Sequence, residues 1–186
     1  MSEQRFPPLA ESAMTAEQKR VATSIAESRK MLRGPFHMLL RHPALGDRVQ
    51  NVGRYLRFEN TLPNAVKELV ILVTARHWGA QFEWAVHRDF ALEAGLPTAV
   101  CDAVSRGETP TGLTPEQQVA YDFASELLAT KAVSDPVFAR AKQTFGDTGV
   151  VELTVCVGYY GLIGLVLNTD RTPLPPGAAP LPPRAS

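Results

Sequence analysis

The stretch KELVILVTARHWGAQFEWAVHRDFALEAG, residues 67–95, decides the fold and contains the candidate chemistry. It places Glu68 inside an apolar run and follows it with His77, Glu83 and His87. A carboxylate among aliphatic side chains is costly unless it is paired or takes part in chemistry. The stretch therefore predicts a buried polar cluster.

The spacing of the acids and imidazoles suggests an acid/base pair. Glu83 and His87 are four residues apart, so on a helix they share one face, where a carboxylate raises the basicity of an imidazole. Glu68 would lie about 22 Å from Glu83 on one continuous helix, given a rise of 1.5 Å per residue. We therefore expect the chain to fold back near Trp78 and Gly79 if Glu68 joins the pair.

Other interpretations of these residues stay open. The Glu–His pair can be an ordinary surface pair, worth about 0.3–0.5 kcal/mol. Glu68 can instead pair with a buried arginine, and the candidates are Arg54, Arg57 and Arg76. A metal bound by the two glutamates and His87 is a further alternative. Because only one imidazole is well placed and HxxxH and CxxC motifs are absent, we expect no metal.

The composition predicts a globular protein of one domain. The chain has 186 residues, 45% of them apolar, which is enough for a sizeable core. Its 19 basic and 19 acidic residues form no basic stripe, so we expect no nucleic-acid partner. Cys101 and Cys156 lie far apart in apolar surroundings and are expected to be free thiols. The N-terminus lacks the pattern of a signal peptide, which favours a cytoplasmic protein.

Residues 153–167, LTVCVGYYGLIGLVL, are apolar throughout and could be mistaken for a membrane span. The run is shorter than the roughly 18 residues that a span needs. It also follows Glu152 directly and contains three glycines. We predict a helix buried in a bundle or at a subunit interface, and no membrane partner.

Helix start and stop signals punctuate the chain. Thr15 and Thr114 are predicted N-caps, whereas Gly79, Gly95 and Gly146 are predicted helix ends. The helices are expected near 15–32, 36–41, 43–59, 64–77, 80–94, 96–106, 114–131, 134–146 and 149–168. No stretch shows the alternation of a strand, so we predict an all-α fold.

The predicted organisation is an N-terminal arm over 1–13, a helical domain over 14–171 and a proline-rich tail over 172–186. The tail is expected to cross a neighbouring molecule in extended form or to stay disordered. Residues 66–73 and 150–157 match in valine, glutamate and leucine positions. This match indicates either two related helical halves or coincidence between two apolar helices.

The run TLPNAVKELVILVTARHWGAQFEWAVHRDFALEAG, residues 61–95, resembles the core motif of the carboxymuconolactone decarboxylase family. That family belongs to a superfamily that also contains the AhpD-type alkylhydroperoxidases. The resemblance extends over about residues 40–106 and more weakly into the last helix. It implies an all-helical, AhpD-like protein that assembles into homotrimers or homohexamers, with active sites near subunit interfaces.

In the peroxidase branch of this superfamily, a glutamate precedes a CxxC pair and a histidine. Glu68 and His87 match the glutamate and the histidine, but Ala80 and Glu83 occupy the cysteine positions. Without thiols there, disulfide-based reduction of peroxides cannot operate. The cysteine-free form instead resembles the decarboxylase branch. That branch implies loss of carbon dioxide from a carboxylated unsaturated lactone, without a metal or an organic cofactor.

The resemblance therefore implies a lyase that acts on a small carboxylated lactone or aromatic-derived metabolite. Its catalytic residues would be Glu68, Glu83 and His87. Its substrate-binding candidates are Arg57, Arg76, His77 and Trp84. A structural role is the alternative for His77. The alternative functions are a hydrolase, dehydratase or isomerase on the same scaffold, or a silent oligomer that binds a small molecule.

Overall fold

The computed structural model describes residues 3–183, which form eight α-helices and no strand. The helices are α1 (Ala16–Arg29), α2 (Phe36–Leu39), α3 (Pro43–Phe58), α4 (Asn64–Trp78), α5 (Gln81–Glu93), α6 (Thr98–Arg106), α7 (Pro115–Thr130) and α8 (Asp135–Asp170). The prediction of an all-α fold is confirmed, and the helix bounds lie within a few residues of those expected.

Two helices begin at the capping boxes that the sequence predicts. The Thr15 hydroxyl accepts a hydrogen bond from the Gln18 backbone N–H, and the Gln18 side chain accepts one from the Thr15 N–H. Thr114 and Gln117 repeat the arrangement at the start of α7. Each box satisfies two backbone donors that a helix start leaves unpaired.

Helix α4 lies at the centre of the bundle, where it packs against α5, α7 and α8. Every residue from 66 to 76 is buried, as a helix that is apolar on nearly every side predicts. The Lys67 ammonium is buried with its helix and donates to the Arg57 carbonyl and to the Asn64 side chain. Glu68 therefore enters the core on a helix that is surrounded by protein.

Helix α8 is bent at Gly146, where φ is 68° and ψ is −175°, a conformation that favours glycine. The predicted helix end at this residue is therefore a break within one long helical element. By length and composition α8 is the one helix of residues 3–183 that could cross a membrane, yet 56% of its most apolar window is buried. It packs on α4 and α7 as an inner helix.

Two glycines let α8 approach the corner between α4 and α5. A Cβ atom on Gly161 would lie 3.0 Å from the Trp78 ring nitrogen, and one on Gly164 would lie 3.2 Å from the Ala80 Cβ. Both distances are shorter than ordinary carbon contacts. This close packing brings Tyr159 and Tyr160 towards α5.

Residues 172–183 of the tail lie against their own chain, unlike either arrangement expected from the sequence. Leu181 is buried in the core, and its N–H donates to Gln81 Oε1 at 2.7 Å. The Gln81 amide donates in return to the Leu181 carbonyl at 3.1 Å, and Arg76 donates to the Pro182 carbonyl. The Gln81 side-chain amide thus forms the two hydrogen bonds that a paired backbone segment would form with Leu181. The proline-rich composition of the tail gives no sign of this contact.

Glu152 and Glu68, the matching acids of the two similar segments, have different roles. The buried Glu152 carboxylate accepts from the Tyr55 hydroxyl at 2.6 Å and from the Thr61 hydroxyl and backbone N–H. Burial raises the Glu152 pKa, but these hydrogen bonds outweigh burial and lower it from its ordinary value. Glu152 thus joins α8 to the end of α3 and to the connection before α4. The two related halves stay a prediction.

We expect Glu152→Ala to lower the free energy of unfolding by about 2–3 kcal/mol, because several charge-assisted hydrogen bonds to the Glu152 carboxylate are lost. Urea denaturation followed by circular dichroism measures the change. Glu27→Ala, a change of an exposed acid on α1, is the matched control and should shift stability by less than about 0.5 kcal/mol. Equal losses in both variants would contradict the structural role of Glu152.

Candidate active site

The polar cluster forms because α4 and α5 fold back on each other, as the sequence predicts. Gly79 ends α4 in a left-handed conformation with φ of 61°, which glycine adopts without steric cost. The Asn168 amide of α8 donates to the Trp78 carbonyl at 2.8 Å and satisfies the end of α4. This turn places Glu68 of α4 beside His87 of α5.

His87 lies between two carboxylates. Its Nδ1 is 2.6 Å from Glu68 Oε2, and its Nε2 is 3.0 Å from Glu83 Oε1. The exposed fractions are 2% for His87 and 6% for each glutamate. The predicted meeting of the three residues is observed, and the arrangement satisfies both ring nitrogens within the protein.

The two carboxylates determine the charge of His87. Burial alone would lower the imidazole pKa, but the charges of Glu68 and Glu83 outweigh burial and raise it to about 9. His87 is therefore an imidazolium at neutral pH, and each of its N–H groups can donate to one carboxylate. A buried proton held in this way is available for transfer at neutral pH.

Two aromatic rings fix the plane of the imidazole. Tyr160 of α8 meets His87 edge to face with ring centroids 5.1 Å apart, and Phe90 of α5 does so at 5.6 Å. Burial raises the Tyr160 pKa well above its ordinary value, so its hydroxyl stays protonated. The ring orientation is thus set by packing as well as by hydrogen bonds.

A cavity of about 300 Å³ opens beside Glu83 and His87. Its wall is largely aromatic, from Phe36, Phe58, Phe82, Phe90, Tyr159 and Tyr160. Glu68 does not line the cavity and lies behind His87, on its Nδ1 side. The cavity has the size and apolar character of a small-molecule site.

The charged groups of the cavity wall are mostly cationic. Arg29, Lys30, Arg33 and Arg57 line it, whereas Glu83 is the one acidic side chain among its lining residues. The Arg57 guanidinium lies over the Phe90 ring, with its central carbon 4.7 Å from the ring centroid. Because His87 contacts the same ring, Arg57 lies near the Glu83–His87 pair. The wall suits a small anion with an unsaturated body.

Of the four predicted substrate contacts, the structure brings only Arg57 to this cavity. Arg76 and His77 line a separate cavity between α4 and α7, and Trp84 is buried in the core on the side that faces the tail. The helical period explains the difference, since nine residues turn by about 180° and place His77 opposite Glu68 on α4. Side-chain direction, rather than nearness in sequence, separates these residues from His87.

The alternative ion pairs of Glu68 with an arginine are not observed. Glu68 pairs with His87 and not with an arginine, while Arg54 pairs with Glu59 at the surface.

Cys101 and Cys156 are buried free thiols, and burial raises the pKa of both. Neither cysteine lines the cavity. Among residues 3–183, no group of three or more His, Cys, Asp or Glu side chains has a metal-binding arrangement.

Sequence reasoning missed the cavity residues that come from distant segments. Arg29 and Phe36 belong to the first two helices, and Tyr159 belongs to α8. A local pattern cannot report that α1 and α8 meet α5. The only available signal was the pair Tyr159-Tyr160, two hydroxyl groups inside an otherwise apolar run.

Comparison with known proteins gives a family match for part of the chain. Residues 43–126 match the model of the Carboxymuconolactone decarboxylase family. This range contains Glu68, Glu83 and His87, but neither α1 nor α8. No curated protein shows significant sequence similarity to the chain.

Similar folds occur among solved structures. The AhpD-core, peroxidase-related protein of Ralstonia eutropha JMP134 has a TM-score of 0.76 and 15% identity, with 93% of each chain covered. The debrominase Bmp8 has a TM-score of 0.74 and 11% identity, with 94% of each chain covered. A protein of Agrobacterium tumefaciens has a TM-score of 0.66 and 15% identity, with 77% of this chain and 99% of its own chain covered. At these identities the similarity shows an AhpD-like fold, not a shared activity.

The raised pKa of His87 predicts a pH dependence of stability. The folded protein keeps the proton up to about pH 9, whereas an unfolded histidine loses it near pH 6.5. The stabilisation from this proton should therefore be complete below pH 6.5 and should be lost as the pH rises towards 9. Urea unfolding across this range measures the loss, and NMR titration of the His87 ring measures its pKa.

Glu68→Gln removes one of the two charges and should lower the His87 pKa in the same NMR titration. A wild-type His87 pKa near 6.5 would contradict the assigned imidazolium.

Proposed function

We propose that this chain, whose residues 43–126 match the model of the carboxymuconolactone decarboxylase family, is a cofactor-independent decarboxylase. Its substrate would be a small carboxylated lactone or an aromatic-derived metabolite. The observation that carries the proposal is the buried His87 imidazolium, which lies between two carboxylates at the wall of a cationic, aromatic cavity.

The cavity supports a substrate that is both anionic and unsaturated. Arg57 and the other wall cations would attract a carboxylate, and the aromatic side chains would contact a planar ring. The cavity volume, about 300 Å³, suits a metabolite and not a polymer. The absence of cysteine from the wall disfavours thiol chemistry of the peroxidase type.

Decarboxylation needs a proton rather than an oxidant. When the bond between the lactone and its carboxylate carbon breaks, carbon dioxide leaves. The two electrons of that bond move into the conjugated lactone. The carbon that gains this charge would then receive the proton held between His87 Nε2 and Glu83 Oε1. The site regains its proton from water, so atoms and electrons balance without a redox partner.

Glu68 would act through His87. Because it lies on the Nδ1 side and does not line the cavity, it would orient the imidazole and stabilise its cationic form. Glu83 and His87 would meet the substrate directly, since both line the cavity. The three predicted catalytic residues thus divide into two reacting groups and one positioning group.

We also propose that the protein is a cytoplasmic homotrimer or homohexamer. The structural support is a stripe of exposed apolar side chains on α8, formed by Val151, Val155, Leu162 and Leu165. At 100° per residue these four lie within about 80° of one another on the helix surface. A continuous apolar stripe of this kind is typical of a surface that another subunit covers.

The first test is turnover of 4-carboxymuconolactone, followed by lactone absorbance and by release of carbon dioxide. Glu83→Gln and His87→Asn should each lower kcat at least about 100-fold, because a positioned acid/base group contributes that much or more. His42→Asn is the matched control, since Asn keeps an N-cap acceptor at the start of α3 and the position lies outside the cavity wall. Absent turnover, or undiminished turnover in the site variants, would refute the assignment.

The oligomer is tested by sedimentation of the wild-type protein and of Leu162→Glu. A buried charge on the stripe should shift the protein towards a smaller species, because an unpaired charge in an apolar interface is costly. Gln143→Glu adds the same charge to an exposed position of α8 away from the stripe, and it should leave the assembly unchanged. A monomeric wild-type protein would contradict this proposal.

A further inference from the structure

Arg29 ends α1 at the cavity wall and is held there by other residues. Its Nη1 donates to Gln50 Oε1 at 3.1 Å and to the Ser28 hydroxyl at 2.9 Å, and its Nη2 donates to the Gln50 carbonyl at 2.9 Å. Gln50 is completely buried, with an exposed fraction of 0%. The guanidinium also lies over the Phe36 ring, 4.9 Å from its centroid. The position of Arg29 is therefore fixed before a ligand arrives.

These contacts leave one edge of the guanidinium unused. Within residues 3–183, no hydrogen bond involves the Arg29 Nε–H or the second N–H of Nη2. The Nε–H and one of the two Nη2 N–H groups face the same edge of a planar guanidinium, with the spacing of a carboxylate. In the same range, no acidic side chain forms an ion pair with Arg29. A half-buried guanidinium with two unused N–H groups can bind an anion at this position.

Tyr159 and Gly53 define the point where that anion would lie. A Cβ atom on Gly53 would be 2.0 Å from the Tyr159 hydroxyl oxygen and 3.1 Å from Arg29 Nη2. The two polar groups thus converge over a residue without a side chain, and all three residues line the cavity. Burial raises the Tyr159 pKa, so its hydroxyl keeps the proton that it would donate.

We propose that Arg29 is the carboxylate anchor of the site, binding one substrate carboxylate through Nε–H and Nη2–H while the Tyr159 hydroxyl donates a third hydrogen bond. Gly53 provides the space that the Tyr159 hydroxyl occupies beside Arg29. Arg29 belongs to α1, outside the region that matches the family model. The segment that precedes the family region thus determines which anions the site accepts.

This inference rests on the proposed function only in treating the bound anion as a substrate carboxylate. Decarboxylation moves negative charge from the departing carboxylate into the ring, so an arginine fork on the departing group would stabilise the ground state and slow the reaction. The anchor therefore suits a carboxylate that the substrate keeps. It fixes the ring relative to Glu83 and His87 while the reacting group stays clear of the fork.

The test uses benzoate as the probe and its neutral analogue benzamide as the control ligand. Benzoate at pH 7 should shift the Arg29 Nε–H resonance in an ¹⁵N-edited NMR spectrum, whereas benzamide should not. Arg29→Lys should lower benzoate affinity at least about tenfold in calorimetry, because an ammonium cannot form the two-point contact. Arg20→Lys changes an exposed arginine of α1 outside the cavity wall and should alter affinity less than about twofold.

Gly53→Ala provides a second variant that leaves Arg29 in place. Its methyl group would displace the Tyr159 hydroxyl and remove the third hydrogen bond, so benzoate binding should fall here too. An unshifted Arg29 resonance, an equal response to benzamide, or equal losses in Arg29→Lys and Arg20→Lys would overturn the proposal. Because binding is scored without turnover, failure of the anchor and failure of the decarboxylase assignment are separate results.

Discussion

The structure of the site depends on one buried cation held between two anions. An isolated imidazolium in a protein core is unstable, and an isolated carboxylate there is equally costly. The two costs offset each other in the cluster of Glu68, His87 and Glu83, because each charged group lies within 3.0 Å of a group of opposite charge. This arrangement needs α4 and α5 side by side and in the right rotation. The turn at Gly79, the burial of α4 and the close approach of α8 therefore all serve a single contact.

The charges of the site are arranged asymmetrically. With His87 protonated, the buried triad has one negative charge more than it has positive charges, while the facing cavity wall has four cationic side chains. A bound anion would be repelled from the triad and drawn to the arginines, so its orientation would be set before any specific hydrogen bond forms. The unsaturated part of the molecule would then face the proton donor. Charge, and not only shape, would select the productive orientation.

Much of the fold could be predicted from the sequence because its signals are local. Thr15, Thr114, Gly79 and Gly146 mark helix ends through chemistry that involves only neighbouring residues. The triad could be predicted because the 14 residues between Glu68 and Glu83 contain a glycine turn. The cavity wall could not, since it is assembled from residues of α1, α3, α5 and α8 that are distant in sequence. Likewise, nothing in the residues around Gln81 indicates that the tail would pair with it.

The tail also affects the order in which the protein can acquire its final form during synthesis. The hairpin of α4 and α5 leaves the ribosome long before Leu181, whose backbone pairs with Gln81 at the first turn of α5. Tyr160, which packs against the His87 ring, also arrives after most of the chain has been made. Glu68, Glu83 and His87 are therefore synthesised early, but the contacts that hold them in place form late. Until residues 160–181 emerge, a nascent chain has the triad in its sequence but lacks the packing that holds it in place.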